Sequence, residues 1–259
     1  MTASVSSLVS EAGSVVRAVR EAQESGVGGA VLVSGVLADH LARELGAGAD
    51  PGVVRVGDVP GADAAVAVRI IAGDPSDEDR AFVVRAERVS VPVVLVQLWP
   101  QADWTRPFVL SPFVVECRAG EGFPLSEIAS RIAEATEGSL RLAARVPTLR
   151  DAATTHATRT AVARAALLGL RGRSRSPLTL EQVRLAIRLR SLEARAVDGA
   201  APELAATTAA VVAGGLVLRV VARRLRRVLP EPLANAVVAA GGTWALAETL
   251  RRAEARGRR

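Results

Sequence analysis

The sequence predicts an α/β domain with a doubly wound, mostly parallel sheet of about five strands, followed by a C-terminal all-α helical domain. Three observations support this prediction. Short apolar runs alternate with amphipathic stretches through the first half of the chain. Residues 91–98 are nearly all Val and Leu, which is typical of a parallel strand buried on both faces. After Pro147, runs typical of strands no longer occur. The expected divisions are an N-terminal amphipathic helix over 1–25, the α/β domain over 26–140 and the helical domain over 141–259.

The first predicted strand and its turn organise the α/β domain. Apolar residues recur every three or four positions over 5–22, which predicts a helix before this strand. The apolar run 30–33 predicts the strand, and Ser34-Gly35 predicts a turn into a second helix. We expect one buried face of that second helix to carry Val36, Leu37, Leu41 and Leu45.

The remaining elements of the α/β domain follow in order. Apolar runs predict strands over 53–56, 64–71, 91–98 and 108–117, the last interrupted by Ser111-Pro112. Ser76 is a good N-cap, and acidic residues follow it where the helix dipole favours them, so a helix is predicted to about residue 89. Another helix is predicted after the turn 120–124.

The second half predicts a helical bundle. Helices are expected over about 148–170 and 179–197, separated by a basic loop, and an apolar helical hairpin is expected over 202–250. The apolar runs of this hairpin are shorter as helices than a bilayer core, so we expect packing rather than spanning. Its first arm carries a basic stripe at helical spacing, predicted to bind a membrane or a partner: Arg219, Arg223, Arg226 and Arg227.

The amino-acid composition and the charge distribution indicate the domain boundary and the cellular location that we expect. All 33 basic residues among the 259 are Arg, which we interpret as the coding bias of a GC-rich bacterial genome. Residues 1–140 carry a net charge of −8 and residues 141–259 carry +14, which places a domain boundary near Gly138-Ser139. One Cys excludes an internal disulfide, and the N-terminus lacks the features of a signal peptide. We therefore expect a cytoplasmic protein, with peripheral contact at the inner membrane as the alternative.

The turns after the first and third strands are the candidate cofactor-binding positions, because α/β proteins bind ligands at the carboxyl ends of their strands. These positions are Ser34, Gly35, Gly73 and Asp74. The first turn lacks the second glycine, the lysine and the Ser/Thr of a phosphate-binding loop. Since the chain has no lysine, we expect it neither to bind nor to hydrolyse GTP or ATP.

Other polar residues favour ordinary structural roles. The carboxylates after Gly73 could hold Mg²⁺, but a solvated helix start is favoured because no phosphate cradle accompanies them. His40 could act as a base and Cys117 as a low-pKa thiol, yet a surface histidine and a buried, inert cysteine are favoured. We predict no catalytic residue, no metal and no cofactor.

The order of elements resembles a small GTPase domain without its catalytic parts. Residues 93–103 stand where such domains have a strand ending in Asn-Lys-x-Asp, but Asn and Lys are absent. Residues 114–122 resemble the later strand that ends in Ser-Ala-Lys, with Glu116-Cys117-Arg118 in its place. The resemblance covers about residues 28–137 and implies a pseudo-GTPase, a GTPase-like fold without GTPase activity.

The helical half resembles the bacterial YcjF-like family. The resemblance lies in Pro177-Leu178-Thr179-x-x-Gln182, in the basic connection 223–230 and in the stretch 239–247 around Thr243-Trp244. The usual glycine after Thr-aromatic-x-Leu is Ala247 here, and the usual aromatic-Gly pair near position 197 is missing. The resemblance implies a domain that is attached to, or encoded beside, GTPases and is frequently membrane-associated.

These observations predict a non-catalytic interaction protein, a GTPase-associated or membrane-peripheral adaptor. The expected partners are a GTPase or an anionic membrane surface. The alternative is a nucleotide-binding sensor or enzyme that uses the carboxyl ends of the parallel strands, around Ser34-Gly35, Gly73-Asp74 and Gln97-Trp99. Nucleic acid is not an expected partner, because the basic half has few aromatic residues for stacking on bases.

Overall fold

The computed structural model describes residues 29–100, 111–171 and 229–257, together with positions 178, 181–182, 184–186 and 189. The predicted N-terminal helix, the Arg stripe 219–227 and the first arm of the apolar hairpin lie outside these residues. The chain divides into two compact units. One is Gly26–His156, and the other combines Met1–Ser25 with Ala157–Arg259.

The first unit contains five strands and the helices between them, which confirms the predicted fold class. The strands are β1 (Ala30–Gly35), β2 (Val54–Val56), β3 (Ala64–Ala72), β4 (Val93–Leu98) and β5 (Phe113–Cys117). The helices are α1 (Ala38–Leu45), α2 (Asp77–Arg88), α3 (Leu125–Ala135) and α4 (Leu140–Arg145), followed by a 3₁₀ turn (Pro147–Leu149). Two longer helices follow, α5 (Arg150–Leu170) and α6 (Glu231–Gly257).

The sheet is entirely parallel, with the strand order β2-β1-β3-β4-β5. β1 therefore lies inside the sheet between β2 and β3, and the order reverses direction at the β1/β3 pair. The registers align Gly35 with Ile70, Ala72 with Leu98, and Leu98 with Cys117. The ends of these strands consequently meet along one edge, called the carboxyl edge below.

The core lies on both faces of the sheet, as the nearly continuous apolar strands predict. On one face α2 inserts Phe82, which is fully buried, into a cluster that includes Leu32, Ala67 and Leu95. Leu32 is the register partner of Ala67, and Leu95 lies two positions after Val93, the partner of Ala67 on β4, so the three side chains share that face. α3 packs on β4 and β5.

The start of α1 differs from the sequence prediction. Only Ala38, Leu41 and Leu45 are its buried residues, whereas Val36 and Leu37 are 48% and 51% exposed. Leu37 has a φ of 59°, in the left-handed region, so it precedes the helix instead of continuing its face. The prediction that both residues belong to the buried face was wrong for this reason.

Residues after α3 extend the α/β unit. Leu142, Val146 and Leu149 are buried, and the 3₁₀ turn packs against α3. The Thr148 hydroxyl donates to the carbonyl oxygen of Leu45 at the end of α1, at 2.7 Å. The compact unit therefore ends at His156, later than the boundary predicted near Gly138-Ser139.

The described part of the second unit is helical. Gly169 of α5 lies so close to α6 that a Cβ there would come within 2.7 Å of the Ala236 Cα. Gln182 Nε2 also donates to the buried Thr243 hydroxyl at 3.3 Å. Among the described helices, none combines the length and the apolar character that a membrane crossing requires.

Candidate binding site at the carboxyl edge of the sheet

The four candidate cofactor-binding residues all lie at the carboxyl edge, but only two of them are exposed. Gly73 and Asp74 follow β3 and are exposed. Ser34 is fully buried, and Gly35 ends β1 with a φ of 92°. A Cβ at Gly35 would overlap the carbonyl oxygen of Ile70, so this glycine permits close packing of β1 on β3. It does not form a phosphate cradle.

A buried arginine occupies the middle of the sheet beside Ser34. Arg69 of β3 is 6% exposed, and its guanidinium lies over the Phe82 ring, 5.2 Å from the ring centre. Its Nε donates to Asp79 Oδ1 at 2.7 Å, and its Nη1 lies 3.4 Å from Ser34 Oγ. Ser34 is therefore a buried partner of Arg69.

Asp79 connects Arg69 to the start of α2. Its Oδ2 accepts hydrogen bonds from the Ser76 amide at 2.9 Å and from the Ser76 hydroxyl at 2.6 Å. The Ser76 side chain in turn accepts from the Asp79 amide, which completes a capping box. Burial alone would raise the pKa of Asp79, but these hydrogen bonds and that from Arg69 hold it below its ordinary value. The carboxylate of Asp79 thus occupies the place where an anionic ligand would meet this helix.

Two further carboxylates near Arg69 are exposed. Asp58 and Glu78 each lie 3.5 Å from the guanidinium, with 72% of each side chain exposed. Asp77 pairs with Arg80 at 2.9 Å. Within the residues described, no group of three or more His, Cys, Asp or Glu side chains is arranged to hold a metal ion. The carboxylates instead give this part of the edge a negative charge.

The next strand holds a second buried polar side chain. Gln97 of β4 is fully buried, and its Nε2 donates to the Gly73 carbonyl at 2.8 Å and to the Leu98 carbonyl at 3.3 Å. Two carbonyl partners fix which amide atom is the nitrogen. Its Oε1 accepts no hydrogen bond, and it is the one buried side-chain N or O atom without a partner among the described residues. Such an atom costs about 1–3 kcal/mol, so it calls for an explanation.

An exposed aromatic residue follows this strand. Trp99 directly follows β4 with a φ of 49°, and 52% of the residue is exposed. Its amide donates to the Cys117 carbonyl at 2.7 Å, which fixes the backbone. Left-handed conformation is uncommon for bulky residues. It occurs twice at this edge, at Leu37 and at Trp99.

The two side chains that sequence analysis weighed as reactive groups have ordinary surroundings. Cys117 is 4% exposed. Burial, together with the charge of Glu121, raises the pKa of its thiol. His40 is exposed and lies 3.2 Å from Glu44 one helical turn away. Neither residue is part of the cluster around Arg69 or Gln97.

Arg69 is a site residue that sequence reasoning missed, whereas Gln97 lies at the strand end, Gln97-Trp99, that the sequence indicated only for the alternative function. Each is a single polar residue in an otherwise apolar strand, and the flanking residues of both are buried. A polar side chain inside such a run needs a buried partner, and this requirement was the signal that could have drawn attention to them.

The strand order identifies this edge as the general binding position of the fold. In doubly wound sheets with the order 2-1-3-4-5, ligands bind outside the carboxyl ends of the strands, near the point where the order reverses. Here that point lies between β1 and β3, with Gly73 on one side and Leu37 on the other.

Comparison with known proteins adds no family to this description: no family model, no curated protein and no solved structure matches the chain.

Proposed function

We propose that this protein is a non-catalytic interaction protein, an adaptor that acts beside a GTPase, with an α/β unit of pseudo-GTPase type. The buried position of Ser34 beneath Arg69 supports a non-catalytic role for the first turn. The lack of lysine in the chain, which leaves no Walker lysine, supports it as well.

The observation that carries the proposal is an exposed apolar stripe on α6, formed by Leu233, Val237 and Trp244. These residues are 49%, 52% and 58% exposed. Their spacing of four and seven positions places them on one side of the helix. Gly241 lies between them on the same side and has open space at its Cβ position. Aromatic and large aliphatic side chains in this arrangement are typical anchors of protein interfaces.

The resemblance to the YcjF-like family indicates which class of protein would bind the α6 stripe. The stretch that carries it, 239–247, lies within α6 and includes Trp244. Domains of that family occur attached to GTPases or encoded beside them. A GTPase domain is therefore the partner that we propose for the α6 stripe.

Site-specific photocrosslinking in the native host tests this proposal. A photoreactive phenylalanine analogue at position 244 is expected to capture a protein with a GTPase domain. The same analogue at Val84, an exposed apolar residue of α2, is the matched control and should not capture it. The capture should also be lost when Leu233 and Val237 are both changed to Ser. Capture of the same proteins from positions 244 and 84 would refute a specific α6 interface.

Binding to an anionic membrane surface is the alternative function, which the charge of +14 over residues 141–259 supports. Each Arg near such a surface contributes about 1 kcal/mol, and salt screens this attraction. Co-sedimentation with vesicles that contain anionic lipid should then fall as salt is raised. It should also fall when Arg219, Arg223, Arg226 and Arg227 are changed to Gln. A protein that stays in the supernatant at low salt excludes the membrane setting.

A further inference from the structure

We propose that the carboxyl edge of the sheet is a docking surface for a basic segment of a partner protein that carries large apolar side chains. The surface is formed by Leu37, Gly73 and Trp99, called the edge row below, together with exposed carboxylates beside them. It belongs to the α/β unit alone. The inference therefore goes beyond the interface proposed for α6 and does not depend on it.

The edge row combines two large apolar side chains with a glycine between them in the strand order. The register places the ends of β1, β3 and β4 beside one another. Leu37, Gly73 and Trp99 follow these strand ends within two residues. Because neighbouring strands lie about 4.8 Å apart, the backbones of β1 and β4 are separated by about 10 Å, with β3 between them. Gly73 is exposed and has open space at its Cβ position.

The apolar side chains of the row contribute little to the core. Leu37 is 51% exposed and Trp99 is 52% exposed, and Val36 beside Leu37 adds further exposed apolar surface. Both large residues have a left-handed backbone, with φ values of 59° and 49°. This conformation is unfavourable for large side chains and is better tolerated by Asn or Gly. Strain of this kind is concentrated at binding and switch sites, so we assign these two side chains to binding rather than to folding.

Hydrogen bonds hold the backbone of all three residues. The Leu37 carbonyl accepts from the His40 amide at 3.0 Å. The Gly73 carbonyl accepts from Gln97 Nε2 at 2.8 Å, and the Trp99 amide donates to a carbonyl of β5 at 2.7 Å. The surface is thus ordered before a partner binds, which lowers the entropic cost of association.

Exposed carboxylates beside the row determine the charge of its partner. They lie in segments 36–40, 57–59 and 73–80, which lead out of β1, β2 and β3: Asp39, Asp58, Asp74, Asp77 and Glu78. These segments contain one arginine, Arg80, and it pairs with Asp77 at 2.9 Å. Segment 118–124 after β5 adds one residue of each charge. The edge therefore attracts a cationic partner and repels an anionic one, such as a nucleotide or an acidic membrane surface.

A basic segment with large apolar side chains fits both features of the edge. At protein interfaces a few large apolar or aromatic side chains supply most of the binding energy. Charges around them select the partner and speed its association. In the edge row Leu37 and Trp99 have the first role, and the carboxylates have the second. Arg or Lys residues that flank the apolar side chains of the partner would complement those carboxylates.

Fluorescence anisotropy with the full chain and a synthetic peptide tests the inference. The labelled probe consists of Leu and Arg in an amphipathic helical pattern. Two control peptides have Glu in place of every Arg, or Ser in place of every Leu. We expect saturable binding of the probe that weakens as salt is raised, and at least tenfold weaker binding of either control. Absence of saturable binding, or equal binding of the probe and the Glu peptide, would overturn the inference.

Asparagine variants assign the contact. Leu37→Asn and Trp99→Asn each remove an exposed apolar side chain, and Asn tolerates a left-handed backbone, so both variants should fold. Each should weaken binding of the probe at least fivefold. Val89→Asn changes an exposed apolar residue at the opposite end of α2 from Ser76, and as the matched control it should bind like the parent protein. Binding that neither Leu37→Asn nor Trp99→Asn weakens would refute the proposal.

A second copy of this chain is the other occupant that the test must distinguish. Analytical ultracentrifugation of the parent protein and of the double variant Leu37→Asn/Trp99→Asn should give the same oligomeric state. A parent dimer that dissociates in the double variant would assign the edge row to self-association and overturn the proposed basic partner.

Discussion

Arg69 Nε and Asp79 Oδ1 lie 2.7 Å apart in the interior of the α/β unit, where less than a tenth of either side chain is exposed. This pair joins the central strand β3 to the first turn of α2. The same carboxylate caps that helix through Ser76. One ion pair thus fixes the position of α2 on the sheet and also keeps the start of the helix from attracting external anions.

Removal of the carboxylate from this pair should destabilise the protein strongly. Asp79→Asn leaves a buried guanidinium whose remaining carboxylate partners, Asp58 and Glu78, are exposed. We expect the free energy of unfolding in urea to fall by about 3–5 kcal/mol. Asp77→Asn changes a neighbouring but exposed carboxylate and should cost less than about 1 kcal/mol. Equal losses in the two variants would contradict the role assigned to the buried pair.

The same carboxylate should contribute to acid unfolding. Because the pKa of Asp79 is lower in the folded state than in the unfolded chain, its stabilisation is complete above about pH 3.9, the unfolded value. It is lost as the pH falls below that value towards the folded pKa. Thermal melting between pH 7 and pH 2 should show a smaller loss of stability in Asp79→Asn than in the parent protein. If the stability of the two proteins falls equally as the pH is lowered, Asp79 does not contribute to acid unfolding.

Cys117 should be unreactive in the folded protein. Its raised pKa and its burial keep the thiol protonated and covered at neutral pH. Labelling with a disulfide reagent at pH 7.5 should therefore be slow in buffer and fast in guanidinium chloride, with one thiol per chain. Fast labelling of the native protein would show that the end of β5 opens to solvent.

Substitution by alanine should destabilise the protein more at Gly35 than at Gly73, the two glycines of the carboxyl edge. Gly35→Ala combines a left-handed backbone with overlap on the Ile70 carbonyl, so about 1–3 kcal/mol of crowding adds to about 1–2 kcal/mol of backbone strain. Gly73→Ala meets open space and should cost only the backbone strain. Urea unfolding of both variants measures the difference. A cost for Gly73→Ala as large as that for Gly35→Ala would contradict the close approach of β1 to β3.

The sequence predicted the sheet well because buried parallel strands are continuous apolar runs, and three such runs coincide with β1, β3 and β4. It also predicted the Ser76 cap, whose signal is local. It did not predict the pair of Arg69 with Asp79, since residues ten positions apart meet only once α2 has packed on β3. Leu37 was misplaced because hydrophobic spacing does not reveal a left-handed backbone.

The position of β1 inside the sheet affects how the chain can fold during synthesis. β1 is the first strand described, yet its neighbour β3 ends at Ala72, with α1 and β2 between them in the sequence. The apolar side chains of β1 therefore remain without their main partner until β3 has left the ribosome. Non-local parallel pairing of this kind is slow and leaves apolar surface open to aggregation meanwhile. The nascent α/β unit is thus expected to need chaperone protection at the stage when β1, α1 and β2 have been synthesised and β3 has not.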